Sequence, residues 1–264
     1  MSPTTSPPPR SWRLRPIVTA VIATVVIHVA AMLALAVSVV TLFQARRFVM
    51  DVIITRLSRV ILRAGGVHVE VVGADDGRPP WWSPPGTTAP QRVYVFNHTS
   101  SLDLFVVCAL GLPRVRFFMK RKFLLFVPFG LLGLLSGTFF TMPQTMPEAR
   151  TRLFQRATRV LRATGESVFL SPEGTRVTTG EIGPFNKGAF HLAAALQAPI
   201  VPLYFETSSG ADPGRGLLVG EGVVRVHVLP GIDTRDWDVA DIGRHRDDVH
   251  ALYVATRARL RGGP

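Results

Sequence analysis

Arg92-Val93-Tyr94-Val95-Phe96-Asn97-His98-Thr99-Ser100-Ser101-Leu102-Asp103 is the stretch on which the fold turns. Arg92–Phe96 reads as a strand. Thr99, Ser100 and Ser101 are good N-cap residues, so a helix is expected to start near 99–101. Asp103 then falls in its first turn, where negative charge is favoured. On one continuous helix, residues five apart point ~140° away from each other. His98 and Asp103 can meet only if the chain leaves the strand, turns and then begins the helix. That puts His98 at the end of a strand, where α/β sheets place their sites.

The rest of the chain repeats this alternation. Val67–Val72, Val115–Met119, Thr138–Met142, Val168–Ser171, Ile200–Phe205 and Val223–Leu229 read as further strands. Segments near 101–110, 147–163, 187–197 and 244–260 read as helices. Strands alternating with helices imply an α/β fold: one domain with a mixed sheet flanked by helices. The link 73–91, with Gly, Pro and the pair Trp81-Trp82, reads as a long loop.

The N-terminal region differs. Residues 1–16, rich in Pro, Ser and Thr, are expected to be a disordered tail. Ile17 to Phe43 contains no Asp, Glu, Lys or Arg. As a helix this run reaches ~40 Å, enough to cross a ~30 Å hydrocarbon core with tilt. It is longer than the apolar part of a signal peptide, so it reads as a retained anchor. Residues 48–63 follow, with apolar side chains at helical spacing and Arg56, Arg59 and Arg63 between them. They suit a helix lying on lipid headgroups, or one packed on the domain with solvated arginines. The expected organisation is a tail (1–16), membrane-anchoring helices (17–63) and a catalytic domain (64–264).

The formal net charge of +12 asks for an anionic partner. Arg46, Arg47, Arg56, Arg59 and Arg63 follow the apolar run, against Arg10, Arg13 and Arg15 before it. This bias puts the domain on the cytoplasmic side of a cell membrane. It also favours anionic lipid over nucleic acid, for which no binding motif is evident. Phe123–Leu135 is uncharged but too short to span; it is core, or a surface for lipid or an acyl chain. A single cysteine, Cys108, permits no intrachain disulfide and reads as packing.

Ser171-Pro172-Glu173-Gly174-Thr175-Arg176 carries the second half of the chemistry. Pro172 ends a strand, Gly174 permits a tight turn, and Arg176 offers a forked cation suited to phosphate. A histidine held by a carboxylate is a general base near neutral pH. No Gly-x-Ser-x-Gly elbow is present, so Ser100 and Ser101 are read as helix starts rather than nucleophiles.

With these residues in view, the chain resembles the membrane glycerophospholipid acyltransferases, most closely the bacterial 1-acylglycerol-3-phosphate acyltransferases. Asn97-His98-x4-Asp103 is similar to their first motif and Ser171–Arg176 to their third. Phe185–Phe190 and Ala198–Leu203 resemble the segments that follow, and Lys120 with Phe126–Gly130 resembles the family's lysine and linker. The resemblance covers roughly 90–205. It implies transfer of a fatty acyl group from acyl-CoA or acyl carrier protein to the free hydroxyl of a lysophospholipid. His98 and Asp103 would be catalytic. Glu173, Gly174, Thr175, Arg176 and Lys187 would bind substrate. No cofactor or metal is implied; the partners are membrane lipids and the thioester donor. One departure stands out. Pro143 occupies the place where the second motif has an arginine for the acceptor's phosphate, with Arg150 and Arg152 nearby as substitutes. Two alternatives follow from it: a different lysolipid headgroup, or a lipid-binding or membrane-remodelling protein without transferase activity.

Overall fold

The computed structural model describes residues 11–73, 79, 81, 87–208, 210–211 and 220–262, with 11–16 as backbone alone. In the N-terminal region, α1 (Ser11–Val40) is followed by α2 (Arg46–Phe48), a π-helical turn (Val49–Ile54) and α3 (Thr55–Ala64). The helix thus starts at Ser11, inside the stretch expected to be a tail; residues 1–10 lie outside the described residues. Much of the 73–91 link, Trp82 included, lies outside them too. Trp81 is buried and meets Tyr94 edge-on, which makes it a core residue.

The domain then runs β1 (Val67–Val72), β2 (Val93–Phe96), α4 (Asp103–Ala109), β3 (Val115–Lys120), α5 (Val127–Ser136), β4 (Phe139–Thr141), α6 (Pro147–Thr164), β5 (Ser167–Leu170), α7 (Gly188–Leu196), β6 (Ile200–Thr207), β7 (Gly222–Val228) and α8 (Ile242–Arg261). A 3-10 turn, Arg121–Leu125, leads into α5. The seven strands form one mixed sheet in the order β1-β7-β6-β2-β5-β3-β4. β6, β2, β5, β3 and β4 are parallel, and β7 runs antiparallel to β6. Each of the seven predicted strands is present, with its ends shifted by a residue or two.

Period-two alternation divides the core. Tyr94, Phe96, Phe117, Phe169, Leu203 and Phe205 face α3 and α4. Val93, Val95, Val168, Leu170, Ile200 and Tyr204 face α6, α7 and α8. Both faces of the central strands are buried, so β2 reads as an unbroken apolar run and β5 as one after Ser167. Tyr253 of α8 fastens its layer: its hydroxyl donates to Val95 O at 2.8 Å and accepts from Leu203 N–H at 3.1 Å.

α1 does not stand free. Ile27, Ala30, Ala31 and Ala34 pack against Ile53, Leu57, Ile61 and Leu132. Thr19 Oγ1 donates to Ala64 O, so α1 and α3 form an antiparallel hairpin. The small alanines allow close approach. The opposite face of α1 stays apolar and exposed at Val21, Val25, Val29 and Met32. Ile17–Val40 is long and apolar enough to cross a membrane.

A buried carboxylate ties this hairpin to the sheet. Glu166, 1% exposed, accepts from Arg46 Nη2 at 2.5 Å and Arg116 Nε at 2.6 Å. Burial raises its pKa, but the two guanidinium bonds outweigh it and hold the carboxyl below its ordinary 4.5. A depressed acid stabilises the fold fully above 4.5, and that contribution is lost as pH falls through the lower folded value. Glu166→Gln should cost about 3 kcal/mol in denaturant unfolding at neutral pH, because two cations lose a buried partner. The variant should also show a shallower loss of stability below pH 4.5 than the native chain.

Candidate active site

The site begins where parallel strands end together. β2 and β5 pair in parallel, so His98 and Ser171 leave the sheet at the same edge. His98 Nδ1 lies 2.7 Å from Asp103 Oδ2. That oxygen also accepts the backbone N–H groups of Thr99 and Ser100, each at 2.9 Å. One carboxylate therefore shapes the turn and holds the ring.

This corrects the expected helix start. α4 begins at Asp103, and no hydroxyl caps it. Ser100 Oγ instead accepts from Leu102 N–H at 3.0 Å. The carboxylate is the stronger acceptor for the free N–H groups, so the helix starts later and the turn belongs to Asp103. Asp103 is fully buried. Burial drives its carboxyl above the ordinary carboxylate range, against the pull of His98, Ser100 and Thr99. With Asp103 ionised, and so only an acceptor, Nδ1 carries the ring proton and Nε2 the lone pair. The ring's side chain is 32% exposed, so a substrate hydroxyl can reach it.

The second stretch docks on the first. Glu173 Oε2 accepts His98 N–H at 2.6 Å, and Oε1 accepts Gly183 N–H at 2.8 Å. Val177 N–H donates to His98 O at 2.8 Å. Both backbone groups of His98 are thus held by the 173–177 segment. Glu173 is buried, and burial raises its carboxyl pKa while the two backbone bonds oppose. Each of its two oxygens accepts one backbone N–H, so Glu173 holds the turn that carries His98. Asn186 Nδ2 closes the turn through Pro172 O and Glu173 O. Gly174 has φ +67°, the left-handed region.

Thr175 and Arg176 are exposed, and the Arg176 side chain has no bond or ion pair among the described residues. It directly precedes Val177, whose N–H bonds His98 O. Lys187 is not gathered there; its ammonium lies beside Gly243, at the first turn of α8. Arg152 pairs with Glu148 on an exposed face of α6. Pro143 is exposed just beyond β4.

An apolar crevice opens on the face of the sheet that carries Phe96 and His98. Its lining includes Met50, Leu104, Phe117, Met119, Phe129 and Gly133. Cys108 also lines it; burial pushes the thiol up to about 12, in keeping with packing rather than reactivity.

Asn97 is a positioning residue that sequence reasoning left without a role. Its amide bonds Phe205 twice, N–H at 2.7 Å and O at 2.9 Å, and so locks the end of β2 to β6. A polar amide directly after four apolar strand residues was the available signal. Glu166 and Tyr253 carried none, because their partners lie far away in sequence. Among the described residues no cluster of His, Cys, Asp and Glu could hold a metal ion.

The family described as Acyltransferase matches residues 68–206, and the chain belongs to that family. Human 1-acyl-sn-glycerol-3-phosphate acyltransferase beta is 35% identical over 164 residues, 62% of this chain and 59% of that protein. The 1-acyl-sn-glycerol-3-phosphate acyltransferase of Saccharomyces cerevisiae is 31% identical over 204 residues, 75% of this chain and 63% of that protein. The chain therefore spans less than two thirds of the length of these curated relatives. The crystal structure of the 1-acyl-sn-glycerophosphate (LPA) acyltransferase PlsC from Thermotoga maritima shares the fold. Its TM-score is 0.71 at 17% identity, covering 93% of this chain and 97% of that one.

Gly174→Ala should destabilise the protein by about 1 kcal/mol in denaturant unfolding, the cost of a Cβ in the left-handed region. An unchanged midpoint would mean that the turn relaxes without holding His98.

Proposed function

We propose that the protein is an O-acyltransferase that moves a fatty acyl group from a thioester, acyl-CoA or acyl carrier protein, to a lysophospholipid hydroxyl. The favoured acceptor is 1-acylglycerol-3-phosphate. The observation that carries this reading is the 2.7 Å His98–Asp103 pair seated on the 173–177 turn. His98 Nε2 takes the hydroxyl proton, and the freed oxygen attacks the thioester carbonyl. The C–S bond breaks, the ester forms, and the imidazolium returns its proton to the leaving thiolate. Asp103 holds the ring and stabilises its charged form. The steps balance without a metal or redox group. Arg176 would hold the acceptor's phosphate, and the crevice would take an acyl chain. The family, and relatives named for 1-acylglycerol-3-phosphate acyl transfer, support the same reading.

The reading also places the protein on a membrane, with the domain on the cytoplasmic side. The α1–α3 hairpin favours lying along one leaflet over crossing it. α3 runs beside α1 and exposes Arg56, Arg59 and Arg63, and such charges are costly at bilayer mid-depth.

His98→Ala should lower acyl transfer by about 10²-fold or more with the fold intact. Asp103→Asn should fall in the same range. Near-normal turnover by purified His98→Ala, with labelled acyl thioester and a panel of lysolipids, would end the mechanism. Arg176→Ala should raise the acceptor KM by about tenfold or more, as for a lost charge-assisted bond, with the thioester KM little changed. The exposed Pro143, in place of an arginine, favours one second reading: an acceptor with another headgroup. The same panel decides, because a preferred lysolipid other than 1-acylglycerol-3-phosphate would replace the first reading. No product with any acceptor would point to a lipid-binding protein.

A further inference from the structure

Leu125, Phe126 and Val127 form an apolar ridge between the 3-10 turn and α5, with side chains 84%, 60% and 72% exposed. Three large apolar neighbours this exposed are costly in water and mark a contact surface. The ridge is built to project. Gly130 lacks a Cβ, and one placed there would stand 2.9 Å from the Leu124 backbone. The turn can therefore fold back tightly on α5 and push residues 125–127 outward. Arg121 and Lys122 precede the ridge, and the Lys122 ammonium lies 5.6 Å over the Phe123 ring. An apolar crest with cations beside it complements an anionic lipid surface: acyl layer below, headgroup charge above. Each basic residue is worth about fivefold in partitioning there.

Its position supplies the function. β3 ends at Lys120 on the edge of the sheet where parallel β5 and β2 deliver Ser171 and His98. The ridge begins five residues later. Behind it, Phe129 and Leu132 line the crevice, while Leu131 and Leu135 pack toward α1. The ridge therefore lies at one end of the helix that lines the crevice on one side and packs on α1 on the other.

We propose that the Leu125–Val127 ridge inserts into an anionic bilayer as a second contact beside α1, so that the crevice opens into the acyl layer. This rests on the membrane reading above. Lipid is then the source of at least one acyl chain entering the site, without passage through water. The basic flank fits an acidic carrier protein as well. The long apolar helix α1, packed against α5 behind the ridge, favours lipid.

Cys108 is buried, so a cysteine introduced at an exposed site labels selectively. Full-length Leu125→Cys, labelled with a nitrobenzoxadiazole dye, is reconstituted into phosphatidylcholine–phosphatidylglycerol vesicles. Its emission should shift to the blue and be quenched by nitroxide carried on lipid chains, at a depth of ~5–10 Å. The same dye on Val239→Cys, also exposed, should be unaffected. An unquenched label at 125 in protein that floats with the vesicles overturns the ridge and leaves the membrane reading standing. Protein that fails to float overturns both. A blue shift only on adding acyl carrier protein also overturns the proposal and assigns the ridge to a protein partner. As an independent variant, Leu125→Ser/Phe126→Ser/Val127→Ser should lose activity on vesicle-borne acceptor and keep it on detergent-dispersed acceptor. Equal loss on both counts against the ridge.

Discussion

The buried Asp103 carboxylate is the constraint from which the site follows. A fully buried acid needs donors, and this one takes three: the His98 ring and the N–H groups of Thr99 and Ser100. Those bonds bend the chain out of β2 and set the first residue of α4. An ionised carboxylate can only accept, so with Asp103 ionised the proton sits on Nδ1 and Nε2 is left as the acceptor. Local structure and chemistry are set by one oxygen.

The turn would be loose without support from the sheet. Asn97 fastens the end of β2 to β6 from one side, and Glu173 and Val177 hold both backbone groups of His98 from the other. Three strand ends thus converge on the base. Arg176 is left exposed, its cation unpaired among the described residues. Glu173 is buried and engaged, while the Arg176 cation further along the turn is exposed.

The N-terminal hairpin has its own tether. Glu166 draws Arg46 and Arg116 together at the edge of the sheet opposite His98. At the other edge, the turn after β3 raises its apolar ridge near the site. The hairpin is anchored at one end of the domain, and the chemistry lies at the other. α1 and α5 join the two along a shared apolar seam.

Alternating strand and helix patterns carried the architecture, because a sheet buried on both faces writes long apolar runs into its strands. Spacing carried the His98–Asp103 pair: five residues with a strand before them and a helix after them must turn, and the turn brings ring and acid together. What the sequence could not express were partners remote along the chain. Glu166 meets Arg46 across 120 residues, and Tyr253 meets Val95 across 158. Nor did the sequence show that Glu173 is buried on two backbone N–H groups, since an acid in an exposed-looking turn gives no sign of them. Lys187 lay close to the motif in sequence and yet sits beside Gly243. Local chemistry is written in neighbouring residues; which groups are consumed by the fold and which are left for a substrate is decided only when distant strands and helices close around them.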